Sequence, residues 1–378
     1  MKFIHLSDLH IGKRVNEFSM IDDQTYILTK IINIIDDEKP DAVLISGDVY
    51  DKSVPSAEAV TLFDDFLFRL SQRNLQTFVI SGNHDSPERI AFGGRLMNQS
   101  GIYLSPVYNK TIEPIMLTDE HGSVAIYMLP FIKPTHVRAH FPEATIESYT
   151  QAMKIALNHL EVNASQRNVL LTHQFVAGSE RSESEEMSVG GSDNVAVEVF
   201  AAFDYVALGH IHKPQSVGRP TIRYCGTPLK YSFSEANHQK SVTVVEMGAK
   251  DEIEIRTVAL VPKRDLKELR GTYRELMAKN YYDQLNLDDY YRITLTDEED
   301  VPDALQKLRM NYKNIMKLDY DNKRTAQQML IEGTNEIETK HPLELVAEFY
   351  ELQNNQELSR EQHDFLQTLI ETVWEEQR

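Results

Sequence analysis

Short apolar runs alternate with amphipathic segments through residues 1–260. Six runs rich in Val, Ile, Leu, Phe and Tyr have the length of buried strands, and each ends at a polar or glycine-bearing turn. The strands predicted in this way are residues 2–6, 42–46, 77–81, 124–129, 169–172 and 205–208. Helices are predicted over residues 18–38, which end before Pro40, and over residues 55–73, with Ser56 as the N-cap. This order predicts an α/β domain in which helices cover a central sheet.

The pattern changes in the C-terminal part of the chain. Residues 221–247 are typical of strands and turns without helices, and we place a domain boundary at residues 261–264, Val-Pro-Lys-Arg. Beyond it, we predict a small α/β unit with helices over 266–280 and 301–312, the second with Pro302 in its first turn, and a strand over 290–295. Two amphipathic helices follow over 342–352 and 359–376, and Ser359 with Gln362 forms a capping box. The predicted domains are residues 1–262, 263–340 and 341–378.

The composition is that of a folded protein without disulfide bonds. A chain of 378 residues, 41% of them hydrophobic, can build one large domain and a smaller one. Its single cysteine, Cys225, excludes an internal disulfide framework and fits a reducing cytosol. No apolar run approaches the roughly 20 residues that a membrane-spanning helix needs, and the N-terminus lacks the anatomy of a signal peptide. We therefore expect a cytoplasmic protein with no membrane association.

Five small polar clusters follow predicted strands and carry the candidate chemistry. They are Asp8-Leu9-His10, Gly47-Asp48-Val49-Tyr50-Asp51, Gly82-Asn83-His84-Asp85, Thr172-His173-Gln174 and Gly209-His210-Ile211-His212. Their carboxylate, amide and imidazole groups are good ligands for divalent metal ions. Side chains two residues apart in an extended segment point the same way, so two of these clusters can each aim a pair of ligands into one pocket. Ligands of open α/β sheets bind outside the carboxyl ends of strands, where all five clusters are expected to meet.

Together, the motifs D-x-H, G-D-x-x-D, G-N-H-D, a histidine after a strand and G-H-x-H resemble the signature of the calcineurin-like metallophosphoesterases over roughly residues 1–250. Longer stretches resemble the SbcD family of bacterial nuclease subunits: SGNHDSPER at 81–89, YVALGHIHKPQ at 205–215 and RYCGTPLKYSFSE at 223–235. The resemblance extends over nearly the whole chain. It implies an α/β fold, a metallophosphoesterase β-sandwich flanked by helices, followed by a small DNA-capping domain and terminal helices.

The resemblance also implies an activity and a ligand set. The activity is metal-dependent hydrolysis of DNA phosphodiesters, as a 3′–5′ double-strand exonuclease and single-strand endonuclease in DNA repair, recombination and replication. Two metal ions would bind, and the implied ligands are Asp8, His10 and His212 for one ion, Asn83, His173 and His210 for the other, and Asp48 bridging both. The mixed nitrogen and oxygen donors suit Mn²⁺, Fe²⁺ or Zn²⁺. Manganese is the choice that the family implies.

Charge balance supports a hydrolytic site. Two divalent cations bring four positive charges, and Asp8 and Asp48 bring two negative ones, which leaves a surplus that suits one phosphodiester and one hydroxide. His84 matches the family's non-ligand histidine beside the scissile phosphate. We expect it to donate a proton to the leaving 3′-oxygen or to stabilise the charge of the transition state.

Two carboxylates beside this histidine have open roles. Asp51 stands where archaeal and eukaryotic relatives carry a second histidine, so it would orient His84, touch the metal shell or support its loop. Asp85 would tune the basicity of His84 or stabilise the turn. Both are included among the candidate catalytic residues.

Basic and apolar residues near the clusters also have two interpretations each. Arg89, Arg95 and Lys230 are candidate contacts to the DNA backbone, or else ordinary surface and ion-pair positions. The stripe formed by Val60, Phe63, Phe66, Leu67 and Leu70 is typical of core packing. Because the family resemblance places dimer helices in this region, part of the stripe is also a candidate dimer interface.

The net charge of −19 argues against broad DNA binding by this chain alone, since phosphate contacts come mainly from Lys and Arg. Residues 341–378 contain nine Asp or Glu and two Arg. Their apolar positions are Leu343, Val346, Phe349, Tyr350, Leu352, Phe365, Leu366, Leu369, Ile370 and Trp374. These helices dock on the chain's own capping domain or bind a partner by helix-in-groove packing. The partner that the resemblance implies is an SbcC-type coiled-coil ATPase, with the nuclease a homodimer within a nucleoid-associated heterotetramer.

Other functions remain as alternatives. A phosphatase or a cyclic-nucleotide phosphodiesterase would use the same fold, although neither needs the residues that follow the core. A scaffold with a degenerate site would bind partners without chemistry, but the ligand set is intact. No G-x-x-x-x-G-K-[ST] motif is present, so the chain is not expected to hydrolyse ATP by a P-loop.

Overall fold

The computed structural model describes residues 1–182, 185, 193–299 and 301–322. In the C-terminal part it describes residues 343, 346, 347, 350, 358–363, 365, 366 and 369. Most of the predicted helices 342–352 and 359–376, including Phe349, Leu352, Ile370 and Trp374, lie outside the described residues. The predicted capping box is confirmed: Ser359 N donates to Gln362 Oε1 at 2.9 Å, and Gln362 N donates to Ser359 Oγ at 3.2 Å.

Strands outnumber helices among the described residues. The strands are β1 Lys2–Leu6, β2 Arg14–Val15, β3 Phe18–Ser19, β4 Ala42–Ser46, β5 Gln76–Ile80, β6 Ile102–Leu104, β7 Ile115–Asp119, β8 Gly122–Leu129, β9 Arg167–His173, β10 Tyr205–Gly209, β11 Gln215–Val217, β12 Arg219–Tyr224, β13 Ser241–Met247, β14 Ile253–Ala259, β15 Leu266–Gly271, β16 Tyr290–Leu295 and β17 Asn314–Tyr320. The α-helices are α1 Ile21–Glu38, α2 Ala57–Ser71, α3 Pro87–Ala91, α4 Gly94–Met97, α5 Pro134–Arg138, α6 Tyr149–Asn158, α7 Tyr273–Leu276, α8 Lys279–Tyr282 and α9 Ala304–Leu308. Single turns of 3₁₀-helix lie at Asn98–Ser100, Val197–Phe200 and Phe233–Glu235.

Two six-stranded sheets form the main body, which confirms the β-sandwich that the family resemblance implies. The single central sheet expected from the order of strands and helices is corrected to two sheets. The first sheet has the order β14-β13-β1-β4-β5-β6, with β1, β4, β5 and β6 parallel. The second has the order β11-β12-β10-β9-β8-β7, with β8, β9, β10 and β12 parallel. Because parallel strands end at the same edge, the polar clusters that follow β1, β4, β5, β9 and β10 are gathered at one end of the sandwich.

Three layers of apolar packing hold this arrangement together. Between the sheets, Phe3, Leu44 and Phe78 pack in the same cluster as Leu171 and Tyr205. The outer face of the first sheet is covered by α1 and α2, and that of the second by α6. Sheets covered on both faces have strands that are apolar throughout, which is why the strand runs could be recognised in the sequence.

Most of the apolar stripe predicted in helix α2 is buried. Ser56 caps the helix, since its side chain accepts a hydrogen bond from Ala59 N. Four members of the stripe are buried in the core, namely Phe63, Phe66, Leu67 and Leu70. Val60 is 45% exposed and Phe68, on the outer face, is 59% exposed. The stripe is therefore mainly core packing, and its exposed part is small.

The predicted helix over residues 266–280 is wrong. Residues Leu266–Gly271 form β15, which pairs in parallel with β16, and only the short helices α7 and α8 follow. Leu and the long charged residues favour a helix, but burial of Leu266 and Leu269 against the neighbouring strand overrides that preference. Thr272 then begins a new helix, because its side chain and that of Glu275 form a capping box.

Other predicted elements also differ from the structure. Helix α1 begins at Ile21 rather than at residue 18, because Phe18–Ser19 pairs with Arg14–Val15 in a small hairpin. The helix predicted over 301–312 is limited to Ala304–Leu308, and Pro302 precedes it. Residues 221–247, predicted to lack helices, contain the 3₁₀ turn Phe233–Glu235.

The C-terminal unit docks on α1 through one buried carboxylate. Asp23 Oδ2 accepts hydrogen bonds from Tyr290 Oη at 2.8 Å and from Arg264 Nη2 at 2.6 Å, while Arg264 Nε donates to Oδ1 at 3.0 Å. The Asp23 side chain is fully buried. The next residue in α1 is Gln24, whose side chain Nε2 donates to His10 O at 2.7 Å in the first polar cluster. The two units therefore meet directly behind the candidate site.

No helix in the described part of the chain combines the length and the apolarity that a membrane crossing requires.

Candidate metal centre

The five polar clusters converge at one end of the sandwich, where their loops are held by main-chain hydrogen bonds. Asp8 N donates to Gly47 O at 3.0 Å, and His10 N donates to Asp48 O at 2.9 Å. Asp8, His10, Asp48 and His210 all have positive φ angles, of 53°, 43°, 49° and 105°. Such angles are uncommon outside glycine and cost free energy, and they cluster at functional sites. This edge is therefore built from loops whose conformation is held by the surrounding fold.

Glycines allow close approaches of the backbone below the site, between the two sheets at Gly209 and between neighbouring loops of the first sheet at Gly82. A Cβ atom on Gly209 would lie 1.9 Å from Ser46 O, and one on Gly82 would lie 2.1 Å from Asp48 Oδ1. No side chain fits at either position, as expected from their place before the polar residues. The close approach also lets His173 Nδ1 lie 2.8 Å from Ser46 O, which joins the second sheet to the first.

One group of donor atoms is formed by Asp8, His10 and His212. Their ligand atoms all lie within 4.8 Å of one another. The Nε2 atoms of His10 and His212 are 3.2 Å apart, and all three residues are buried. Two imidazole nitrogens facing each other at this separation can both reach an ion placed about 2.1 Å from each of them. These residues therefore fit a divalent cation.

A second group lies beside the first. Asn83 Oδ1 is 3.0 Å from His173 Nε2 and 2.9 Å from His210 Nδ1. Asp48 Oδ2 is 3.2 Å from His173 Nε2 and 3.7 Å from His10 Nε2, so this oxygen lies between the two groups. An amide oxygen, two imidazoles and a carboxylate again form a donor set that suits Mn²⁺, Fe²⁺ or Zn²⁺.

The buried carboxylates of the site suit the binding of divalent cations. Burial raises the pKa of Asp8 to about 6, and repulsion from Asp48 acts in the same direction. Burial also opposes ionisation of Asp48, but the imidazoles of His173, His10 and His84 together outweigh it and hold the pKa of that carboxyl well below its usual range. Burial opposes protonation of His173, yet Asp48 raises the pKa of this imidazole to about 9. These shifts arise because buried carboxylates and imidazoles are packed together, and such a set of groups suits bound divalent cations.

His84 is held at the edge of the site by its neighbours. Its main-chain N donates to Asp48 Oδ1 at 2.9 Å, and its Nδ1 lies 3.0 Å from the main-chain oxygen of Asp51. Its Nε2 is 4.0 Å from Asp48 Oδ2, and its ring packs edge-on against His10. Because Nδ1 faces a carbonyl acceptor, Nε2 is the nitrogen turned towards the donor groups.

The carboxylate of Asp51 makes different contacts from its main chain. Its Oδ1 lies 2.8 Å from Lys13 Nζ and 3.9 Å from His10 Nδ1. The orientation of His84 therefore rests on the main chain at residue 51. The side chain instead faces Lys13 and the back of a candidate metal ligand.

The carboxylate of Asp85 binds main-chain groups. It accepts hydrogen bonds from Val49 N at 3.0 Å, Tyr50 N at 2.9 Å and Gly82 N at 2.9 Å. Burial raises the pKa of Asp85 to about 6, and Asp48 adds to that effect. These contacts tie the loop after β4 to the loop after β5, which favours the turn-stabilising interpretation of this residue.

The three basic residues predicted to contact DNA have different surroundings. Lys230 Nζ donates to Ala236 O at 2.6 Å and lies 2.8 Å from Asp265 Oδ1, with 12% of its side chain exposed. Its contacts are those of an ion pair within the fold, and they do not support a role in binding DNA. Arg89 and Arg95 are exposed on α3 and α4, directly after the loop that carries His84.

Supporting residues behind the ligands were not predicted from the sequence. Gln24 Nε2 donates to His10 O at 2.7 Å and to Tyr231 Oη at 3.0 Å, and its Oε1 accepts from Gly12 N at 3.0 Å. Gln24 is a polar residue on the apolar face of α1, and that anomaly was a usable signal. Glu235 and Lys240 also lie behind the site. Glu235 ends the stretch 223–235 that carries the family resemblance, but no role was predicted for either residue.

A two-sheet sandwich whose strand ends gather carboxylates, an amide and imidazoles is the arrangement of a metal-dependent phosphoesterase. The chain belongs to the calcineurin-like phosphoesterase family, whose family model matches residues 1–214, and within it to the SbcD nuclease subunits. It is 30% identical over 380 residues to the D subunit of the SbcCD nuclease of Staphylococcus epidermidis, and the match covers 99% of both chains. Residues 262–354 match the type 5 capsule protein repressor C-terminal domain.

Solved structures of low sequence identity are similar to part of the chain. A dimetal phosphatase from Danio rerio is 10% identical with a TM-score of 0.43, and the match covers 69% of this chain and 96% of that one. A Thermus thermophilus protein is 13% identical with a TM-score of 0.36, and the match covers 68% of this chain and 98% of that one.

Proposed function

We propose that the chain is a two-metal nuclease that hydrolyses DNA phosphodiesters. The observation that carries this proposal is the position of Asp48 Oδ2, 3.2 Å from His173 Nε2 and 3.7 Å from His10 Nε2. A carboxylate between two donor groups suits a bridging ligand. One ion would be held by Asp8, His10 and His212, and the other by Asn83, His173 and His210. Mn²⁺ is proposed for both, and the donor set is compatible with it.

Bound ions would supply Lewis acidity and a water of lowered pKa for attack on phosphorus. The protein then has to orient the phosphodiester and provide a proton at the leaving oxygen. His84 is proposed for this role, because its Nε2 faces the donor groups while its Nδ1 is held by Asp51 O. Because Nδ1 donates to a carbonyl oxygen, Nε2 of the neutral imidazole carries only a lone pair, so His84 has to be protonated to donate to the 3′-oxygen or to stabilise negative charge at the phosphate.

Two other predicted catalytic residues are proposed to act indirectly. Asp51 would support His84 through its main chain and His10 through its carboxylate, which lies 3.9 Å from His10 Nδ1. Asp85 would hold the two ligand-bearing loops together through its three main-chain hydrogen bonds. Neither carboxylate is proposed to touch the substrate.

DNA is proposed as the substrate because similarity to a nuclease subunit extends over 99% of the chain. A phosphatase or a cyclic-nucleotide phosphodiesterase needs only the sandwich, whereas this chain also carries the docked C-terminal unit. Arg89 and Arg95 are the proposed contacts to the DNA backbone, since both are exposed directly after the His84 loop. We propose 3′–5′ exonuclease activity on double strands and endonuclease activity on single strands.

The proposed partner is an SbcC-type ATPase, as the name of the relative implies. Val346, Phe365 and Leu369 are exposed apolar residues in the C-terminal part and are proposed to contact it. A dimer is proposed through the outer face of α2 and the end of α3, where Phe68 is 59% and Phe92 83% exposed. Two copies of each subunit would make a heterotetramer, associated with the nucleoid.

The test is cleavage of an end-labelled DNA duplex and of p-nitrophenyl thymidine phosphate by the purified chain in Mn²⁺. His84→Gln is compared with wild type and with His121→Gln, a matched control on the exposed turn between β7 and β8. We expect His84→Gln to lower both rates by about 10²–10⁴-fold, while the control keeps them. Hydrolysis of the small ester without DNA cleavage, even after the ATPase is added, would favour a phosphodiesterase of small substrates. Metal binding without any hydrolysis would favour a scaffold.

A further inference from the structure

A buried ion pair lies directly behind one of the proposed metal ligands. The carboxylate of Glu235 is fully buried, and its Oε1 is 3.2 Å from His212 Nδ1. The side chain of Lys240 is 4% exposed and forms a salt bridge with Glu235 Oε2. Lys240 Nζ also donates to His212 O at 2.9 Å and to Thr227 Oγ1 at 2.7 Å. Both charges therefore converge on the residue that carries the ligand imidazole.

This contact determines which nitrogen of His212 is available to a metal ion. A neutral imidazole has one N–H donor and one lone-pair acceptor. With Nδ1 donating to Glu235, the lone pair is on Nε2, which is the nitrogen 3.2 Å from His10 Nε2. The main chain at His212 is fixed as well, because its N donates to Glu185 Oε1 at 2.7 Å. The ring is thus held in one tautomer and one orientation.

Stability alone does not account for this pair. Replacing a buried ion pair by apolar residues of similar volume is often neutral or stabilising, because removing two charges from water is costly. The pair is therefore best explained by what it holds, which is the imidazole and the main-chain oxygen of His212.

We propose that Glu235 is a positioning residue for the metal site, which sets the tautomer and direction of His212, and that Lys240 keeps its carboxylate in place. The role rests on the proposed metal site and extends it to residues outside the ligand set. A carboxylate behind a ligating histidine raises the basicity of the imidazole as well as fixing its orientation.

The test measures Mn²⁺ affinity by titration calorimetry on the full chain, with thermal unfolding in EDTA as a measure of the fold. Removing Glu235 alone would leave the buried ammonium group of Lys240 without its counter-charge. Two double variants are therefore compared: Glu235→Leu with Lys240→Met, and Glu235→Gln with Lys240→Met. The first removes the acceptor for His212 Nδ1–H, and the second retains an uncharged acceptor. Glu268→Gln, at a half-exposed carboxylate of the C-terminal unit, is the control.

We expect the leucine double variant to bind Mn²⁺ about 10–100-fold more weakly at one of the sites. The glutamine double variant should recover part of that loss, with the same melting temperature in EDTA as the leucine variant. Recovery at equal stability is the result that a purely structural role would not give. Wild-type affinity in the leucine variant, or equal losses in both double variants, would overturn the positioning role. Absence of Mn²⁺ binding by the wild type would overturn the proposed metal site along with it.

Discussion

His84 Nδ1 lies 3.0 Å from the main-chain oxygen of Asp51, while the carboxylate of the same residue faces Lys13 Nζ at 2.8 Å. The imidazole is therefore oriented by an atom that no side-chain substitution removes. Asp51→Asn should lower kcat by less than about tenfold, against the roughly 10²–10⁴-fold expected from loss of a general acid at His84. The measurement is kcat for p-nitrophenyl thymidine phosphate in Mn²⁺. A loss in Asp51→Asn as large as that in His84→Gln would show that the Asp51 carboxylate, rather than its main chain, supports the histidine.

Gly82 has no room for a side chain next to the proposed bridging ligand. A Cβ at this position would lie 2.1 Å from Asp48 Oδ1 and 2.4 Å from Asp48 N. Gly82→Ala should therefore displace Asp48 and abolish tight Mn²⁺ binding, as seen by calorimetry. Gly94→Ala is the matched control, since the nearest atom to its Cβ would be 3.4 Å away. Unchanged Mn²⁺ affinity in Gly82→Ala would mean that Asp48 does not need its present position to bind metal.

Asp85 is expected to affect stability more directly than chemistry. Replacing it by alanine leaves the buried N–H groups of Val49, Tyr50 and Gly82 without their acceptor. Each unsatisfied buried group costs about 1–3 kcal/mol, so we expect Asp85→Ala to lower the free energy of unfolding by about 3 kcal/mol or more. Urea unfolding in EDTA measures this without the contribution of metal. If stability is unchanged and only the pH dependence of kcat shifts, Asp85 tunes His84 instead.

Much of the fold was predictable because the buried strands are apolar throughout and end at polar residues. The predicted strands 2–6 and 42–46 coincide with β1 and β4, and the polar clusters that follow them meet as expected. The segment that became β15 was mispredicted, since its local sequence favours a helix and only pairing with β16 favours a strand. The helix or strand preference of a segment's own residues does not show whether a partner strand from elsewhere in the chain will pair with it.

The supporting residues of the site were also not predicted, because their contacts join parts of the chain that are distant in sequence. Gln24 reaches Tyr231 across 207 positions of sequence, and Glu185 reaches His212 N across 27. Charged residues such as Glu235 and Lys240 are usually exposed, yet both are buried behind His212. The candidate ligand motifs are short and local, which is why the sequence could suggest them, whereas the residues that contact them are brought together by the fold.

The contact between the two structural units can be weakened at one side chain. The carboxylate of Asp23 is fully buried. In Arg264→Met, Tyr290 Oη is the one described group of the C-terminal unit that still donates a hydrogen bond to it. Loss of one member of a buried ion pair costs about 3–5 kcal/mol. Because the Arg264 side chain is 21% exposed, we expect a loss of stability at the lower end, about 3 kcal/mol. Urea unfolding and faster proteolysis between residues 260 and 265 would both report the change. Arg292→Met, at a half-exposed pair, should cost less than about 1 kcal/mol.

Asp119 is expected to make stability depend on pH in the acid range. Hydrogen bonds from Arg167, aided by the N-terminal ammonium 2.8 Å away, hold the pKa of this carboxyl well below its usual range. A depressed folded-state pKa contributes stability that is present above the unfolded value of about 3.9 and is lost as pH falls through the folded value. Asp119→Asn should therefore lower the free energy of unfolding by about 2 kcal/mol at pH 7, because Arg167 is buried.

The difference between Asp119→Asn and wild type should shrink as pH falls below about 4, because the unfolded wild-type chain then takes up a proton at this carboxyl while the folded chain still keeps its charge. Urea unfolding of chains with the native N-terminus, at several pH values between 7 and 3, measures this difference. Asp321→Asn is the control, because its pair with Arg270 is exposed and should contribute less than about 1 kcal/mol at any pH. If the difference in free energy of unfolding between Asp119→Asn and wild type stays constant down to pH 3, the charge of Asp119 does not stabilise the junction of β7, β9 and the N-terminus. The hydrogen-bond geometry of its carboxyl oxygens would then account for the stabilisation.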